Sequence, residues 1–213
     1  MKYNRYIDHT LLKPDASTKQ IENLCKEALK YKFFSVCVNP CMIPTCKKVL
    51  KNSKDVKICT VIGFPLGQMT TEAKVFETKD AIKKGAKEID MVLNISQLKA
   101  KNFKYVVNEI NKIKQACGKL TLKVIIETCL LTDEQKIDAC KCINKSKADF
   151  IKTSTGFSTA GANAHDVELL RKYTNKNKKV KAAGGVRTYD DLVCFVKLGA
   201  NRIGTSRGVD LIK

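Results

Sequence analysis

The sequence predicts an α/β fold, a single-domain (β/α)8 TIM barrel over residues 1–213, on three observations. Eight short apolar runs alternate with amphipathic segments from one end of the chain to the other. Hydroxyl residues stand where the amphipathic segments begin, and glycines where they end. The length of 213 residues and the 44% apolar content suit one domain with a sizeable core. That length is near the lower limit of about 200 residues for eight strand and helix units. A doubly wound open sheet is the runner-up.

Taken in order, the first strand is expected at Tyr6 to His9, and Ser17 with Gln20 forms a capping box that opens the helix behind it. Strands at Phe33 to Val38 and Lys57 to Ile62 follow. Gly85 supplies the left-handed residue that ends a helix, a few residues before the strand Glu88 to Leu93. Gly118 does the same before the strand Leu120 to Glu127. Thr132 with Gln135 caps the next helix, which leads to Ala148 to Ile151. The seventh strand is Lys179 to Ala182. Thr188 with Asp191 starts the last helix, Gly199 ends it, and Arg202 to Ile203 is the eighth strand. No linker, repeat or low-complexity stretch suggests a second domain.

Composition narrows the function classes. No apolar run resembles a signal peptide and none reaches eighteen residues, so a cytoplasmic protein with no membrane partner is expected. Ten cysteines fall inside predicted elements, among them Cys37, Cys59, Cys129 and Cys194, and read as buried thiols. No cysteine pair has a second pair at zinc-finger spacing, and His9 and His165 lie far apart, so no metal is assigned. The formal charge of +19 comes from lysines scattered over nearly every predicted helix, without interleaved aromatics. It predicts a basic surface that attracts a small anion, and no nucleic-acid partner.

In a barrel the chemistry sits where strands run into their following loops. Lys152 ends the apolar run ADFIK, where desolvation disfavours its ammonium form and a freed amine can attack a carbonyl. Taken alone, a snorkelling lysine at a strand edge explains it as well. Lys181 ends the adjacent strand, and two ammonium groups side by side oppose each other's charge, which can free one well below its reference pKa of about 10.4. Period-two alternation puts Glu88, Asp90 and Val92 on one face of their strand, and Thr121, Lys123, Ile125 and Glu127 on one face of the next. Buried charges must be paired, so Asp90 is expected against Lys123 or Lys181, a structural ion pair being the competing explanation. Gly156, Gly184 with Gly185, and Gly204 with Ser206 form three turns after the last three strands, beside Arg187; exposed backbone N–H groups there suit a phosphate. Two coupled lysines, a carboxylate and a phosphate cradle describe a Schiff-base aldolase.

These residues also carry a resemblance. Through YIDHTLLKPDA, SVCVNP, TVIGFPLG, EIDMVLNI, LKVIIET, ADFIKTSTGFS, KAAGGVRT and RIGTS, in this order, the chain resembles the deoxyribose-phosphate aldolase family over nearly its whole length. The resemblance implies reversible cleavage of 2-deoxy-D-ribose 5-phosphate to D-glyceraldehyde 3-phosphate and acetaldehyde in deoxynucleoside catabolism, with no metal or organic cofactor. It implies a small phosphorylated sugar as partner and a homodimer or other small homo-oligomer. Position by position, Lys152 matches the Schiff-base lysine, Lys181 the lysine that tunes it, Asp90 the aspartate of the proton relay and Lys123 the lysine beside it. Gly156, Gly184, Gly185, Arg187, Gly204 and Ser206 match the phosphate-holding turns, and Asp8 and Thr10 the polar pair that supports the site. Two positions depart: Arg207 stands where a small residue is common, and Phe157 where some members have a lysine. A transaldolase-like or keto-acid aldolase remains an alternative among lysine-dependent barrel enzymes, and a basic nucleic-acid-binding protein an alternative from another class.

Overall fold

Eight parallel strands close into a barrel whose spatial order is their order in the chain. The computed structural model describes residues 3–212; Met1, Lys2 and Lys213, which belong to the expected single domain, lie outside the described residues. The strands are β1 (Ile7–Leu11), β2 (Ser35–Val38), β3 (Lys57–Ile62), β4 (Glu88–Val92), β5 (Thr121–Ile125), β6 (Phe150–Lys152), β7 (Lys179–Ala183) and β8 (Arg202–Thr205). Between successive strands run α1 (Thr18–Lys30), α2 (Ile43–Val49), α3 (Thr71–Lys84), then α4 (Ile95–Lys99) with α5 (Phe103–Cys117), α6 (Asp133–Lys145), α7 (Ala164–Tyr173) and α8 (Tyr189–Lys197). Closure by β1 on β8, through Ile7↔Ile203 and Asp8↔Gly204, excludes the open-sheet alternative.

Local chemistry explains the element ends. Ser17, Thr132 and Thr188 each accept from the backbone N–H three residues on, and Gln20, Gln135 and Asp191 return the bond, so all three expected capping boxes form. Gly85, Gly118 and Gly199 adopt φ of 130°, 56° and 101° at the helix ends. The strand bounds shift where pairing decides them. β1 runs on to Leu11 because Leu11 registers with Val38, while Tyr6 closes a short 3-10 helix, Tyr3–Tyr6. β5 stops at Ile125, short of the expected Glu127, because Glu127 is left-handed at φ 54°.

Outward strand residues such as Val36, Ile89, Val124, Ile151 and Val180 bury against the apolar stripes of the helices, for instance Ile21, Leu24 and Ala28 of α1. The barrel interior is different. On one side it holds a small apolar cluster of Leu12, Cys37, Cys59 and Val61; on the other it is filled with charge. The ten cysteines are free thiols, and Cys37 and Cys59 are buried as expected. Cys129 is partly exposed and Cys194 exposed, a correction: α8 is amphipathic, and Cys194 falls on its solvent face beside buried Leu192 and Phe195.

Candidate active site

Register builds the charged cluster. Asp90 pairs with Lys123 across β4 and β5, and Lys152 with Lys181 across β6 and β7, with Lys152 opposite Ile125, two residues beyond Lys123, so alternation turns all four side chains inward. Asp90 lies between the three lysines. Its Oδ2 is 2.9 Å from Lys152 Nζ and 2.8 Å from Lys181 Nζ, and its Oδ1 is 2.8 Å from Lys123 Nζ. Both pairings expected for Asp90 therefore form together. Asp8 completes the set: its Oδ2 sits 2.6 Å from Lys181, and its Oδ1 2.7 Å from Arg202 and 2.6 Å from the Ser35 hydroxyl that donates to it. Glu88 joins Lys123 at 2.6 Å and Arg202 at 3.1 Å. Glu88 was placed on the Asp90 face from sequence but given no role, and Arg202 was not singled out, although it is two residues from inward-facing Gly204. Gly204 itself makes room for the cluster, because a Cβ there would stand 3.1 Å from Lys181 Cε and 2.9 Å from Ala183 Cβ.

Water is excluded from almost all of this, since Asp8, Asp90, Lys123 and Lys181 have no exposed surface and Lys152 only 3%. Burial by itself would push Lys181 down, but the carboxylates of Asp8 and Asp90 outweigh it and hold the ammonium above its ordinary value. Lys123 is likewise held well up against burial by Asp90, with Cys59, Glu88 and Asp8 adding to it. Burial would raise Asp90, yet Lys123, Lys152 and Lys181 together hold it well below the usual carboxylate range; Arg202, Lys181 and Lys123 do the same for Asp8. Three carboxylates thus face four cationic side chains, Lys123, Lys152, Lys181 and Arg202, and a full set of charges leaves one positive charge over.

Above the cluster opens a cavity of about 430 Å³. Lys152 reaches its wall, and so do Thr10, Gly156, Gly184, Gly185, Arg187, Gly204 and Ser206; Asp8, Asp90, Lys123 and Lys181 lie beneath the wall. The glycine turns touch one another. A Cβ on Gly161 would fall 2.2 Å from the Gly184 carbonyl oxygen, and Ala162 N–H donates to the carbonyls of Ala183 and Gly184 at 3.1 and 3.0 Å. Phe157 and Arg207, the two departures, both line the cavity, Phe157 with its ring edge-on to Phe64 at 5.3 Å. Lys13 lines it too and was missed; its only signal was its place just past the first strand, in HTLLKPD. Lys13, Lys152, Arg187 and Arg207 make four cationic side chains in the wall, with no carboxylate among the residues that form it. Glu127 departs from expectation: its left-handed backbone takes it off the Lys123 face, and its carboxylate accepts from Thr155.

Among the described residues two groups of three candidate metal ligands converge, Cys37 with Cys59 and Asp90, and Asp133 with His165 and Asp166. Lysine ammonium groups already occupy both, Lys123 at Asp90 and Lys136 at Asp133 and Asp166. Those donor sets serve ion pairs.

A lysine reaching into a mouth lined by cations, with a charged lysine and a carboxylate behind it, can serve iminium chemistry on an anionic carbonyl compound, and the fold is the eight-stranded barrel common to many enzymes. Within that fold class the chain belongs to the DeoC/LacD family of aldolases, whose family model matches residues 4–211. It is 60% identical over 212 residues to the deoxyribose-phosphate aldolase of Malacoplasma penetrans, spanning 100% of this chain and 95% of that relative. Identity to the deoxyribose-phosphate aldolase of Streptococcus sanguinis is 54% over 213 residues, or 100% and 96% of the two chains. Among solved structures it is similar to the deoxyribose phosphate aldolase of Aeropyrum pernix, described as tetrameric, with a TM-score of 0.87, 33% identity, and coverage of 97% of this chain and 88% of that one. An aldolase named QR15 superposes with a TM-score of 0.93 at 38% identity, covering 98% and 93%.

Proposed function

We propose that this chain is a deoxyribose-phosphate aldolase that cleaves 2-deoxy-D-ribose 5-phosphate reversibly to D-glyceraldehyde 3-phosphate and acetaldehyde through a Schiff base on Lys152. One observation carries the reading: of the four clustered cations, Lys152 alone reaches the cavity, while it shares Asp90 Oδ2 with Lys181. Loss of one proton from Lys152 leaves the cluster neutral, and the amine then attacks the C1 aldehyde and expels water to give the iminium. A base removes the proton of the C3 hydroxyl, the C2–C3 bond breaks, and its electrons pass into the iminium to form an enamine. Protonation at C2 and hydrolysis release acetaldehyde and restore the amine. Lys181, held charged, donates protons, and Asp90 relays them through water. The sugar phosphate sits among Gly156, Gly184, Gly185, Gly204 and Ser206, with Lys13, Arg187 and Arg207 supplying charge.

The same reading takes residues 1–213 as one domain, with a phosphorylated sugar and no nucleic acid as partner. Ten unpaired thiols fit a reducing cytoplasm, and no described helix is long and apolar enough to cross a membrane. A small homo-oligomer is the assembly proposed, on the likeness to a relative described as tetrameric.

Trapping tests the chemistry. Acetaldehyde with borohydride should leave a reduced two-carbon adduct on the peptide containing Lys152. A folded preparation that gives no adduct, or an adduct on another lysine alone, overturns the mechanism.

A further inference from the structure

We infer that Glu127 is a positioning residue for the substrate phosphate, acting through Thr155 on the turn that carries Gly156; the inference rests on the proposed function. Among the described residues three non-glycine residues have positive φ, Lys32, Lys101 and Glu127. The first two are exposed, and Glu127 alone is buried, at 3% exposure. A buried, unfavourable backbone conformation persists where the surroundings over-determine it, and such residues cluster at functional sites.

The hydrogen bonds show what the conformation achieves. Ile126 N–H donates to the carbonyl of Lys152 and Thr128 N–H to the next carbonyl, Thr153, both at 3.0 Å. Two residues of one chain thus advance while the other advances one, which is the count of a β-bulge, and Glu127 is the residue turned out of the ladder. Its carboxylate is thereby re-aimed beneath the β6–α7 turn. Thr155 N–H donates to Oε1 at 3.1 Å, and the Thr155 hydroxyl donates to Oε2. An ionised carboxylate only accepts, so it fixes the direction of the hydroxyl proton and leaves the Thr155 oxygen free to accept. Phe157 N–H fills that place at 3.0 Å.

Gly156, at φ 86°, is therefore held from both sides, by Thr155 on the carboxylate and by Phe157 on Thr155. Its Cα in turn packs under Gly184, 3.5 Å from where a Cβ would lie there. Glu127 is not in the cavity wall, and Thr155 occupies both of its oxygens, so the negative charge is turned away from the place of the phosphate. A residue with this role should govern phosphate binding more than lysine chemistry.

The experiment measures two quantities in wild type, Glu127→Ala, Glu127→Gln and Thr155→Val: the KM for 2-deoxyribose 5-phosphate, and the rate of reductive trapping of acetaldehyde on Lys152. Acetaldehyde carries no phosphate, so the second reports the lysine alone. Glu127→Ala should raise KM about tenfold, with a several-fold smaller change in trapping rate. Glu127→Gln keeps one accepting oxygen and should fall between Ala and wild type, and Thr155→Val should repeat the selective rise without touching the left-handed residue. Equal losses in both quantities, or an unmoved KM in Glu127→Ala and Thr155→Val alike, overturn the inference. Wild type that traps acetaldehyde but does not cleave 2-deoxyribose 5-phosphate overturns the substrate reading instead.

Discussion

At the scale of single residues, the two lysines of adjacent strands have different surroundings, and on the proposed mechanism different roles follow from them. Lys181 has two carboxylates, Asp8 Oδ2 at 2.6 Å and Asp90 Oδ2 at 2.8 Å, and no cavity surface. Lys152 has one, shared, and a face on the cavity. A carboxylate oxygen thus stands between the two ammonium groups, and Asp8 and Asp90 together hold the charge of Lys181 in place against burial. Lys152→Ala should abolish turnover and the borohydride adduct together. Lys181→Leu should keep the nucleophile but lower kcat by about 10²- to 10⁴-fold, the range for losing a positioned proton donor. A Lys152→Ala protein with near-normal kcat in a coupled assay at neutral pH would contradict the assignment.

At the scale of elements, a further buried ion pair outside the cavity wall ties two helices to the end of β4. Lys74, on α3, donates to Glu109 of α5 at 2.8 Å, to the Val92 carbonyl ending β4 at 2.9 Å and to the Gly67 carbonyl at 2.8 Å. Glu109 also accepts from Asn94 N–H, so two helices, a strand end and the β3–α3 loop converge on one ammonium. Burial pushes Lys74 down and Glu109 up, with the attraction between them opposing both shifts. Removing one partner strands the other charge, and Lys74→Met should cost about 3–5 kcal/mol in urea unfolding. The double variant Lys74→Met with Glu109→Leu should be more stable than the single one; additive losses would show that the pair is not coupled. This clamp was illegible in the sequence, because its members come from elements joined only by tertiary packing. Asp90, Lys123, Lys152 and Lys181 were legible for the opposite reason: period two assigns a face within each strand, and neighbouring parallel strands bring equivalent faces together. The same rule misplaced Glu127, since alternation holds only while the backbone stays extended. Lys13 went unnoticed because a lysine in a loop carries no periodic signal.

At the scale of the whole molecule, the +19 charge acquires a direction from the cavity. A diffuse excess of lysine raises the potential everywhere, but Lys13, Arg187 and Arg207 line a mouth whose wall contains no carboxylate, so the field is concentrated where an anion enters. Charges on the far side of a barrel are screened beyond a Debye length of about 8 Å at physiological ionic strength, whereas those at the mouth stay within reach of the substrate. Capture should then depend on salt and the chemistry should not. Raising KCl from about 20 to about 500 mM, a span over which the Debye length shrinks to a fraction of its low-salt value, should lower kcat/KM for 2-deoxyribose 5-phosphate several-fold and leave kcat nearly constant. Over the same range the trapping rate with acetaldehyde, an uncharged substrate, should stay flat. The triple variant Lys13→Gln, Arg187→Gln, Arg207→Gln should flatten the kcat/KM profile while retaining most of the net charge. If the variant keeps the slope of wild type, the attraction comes from the surface as a whole, and the three cations at the mouth do not focus it.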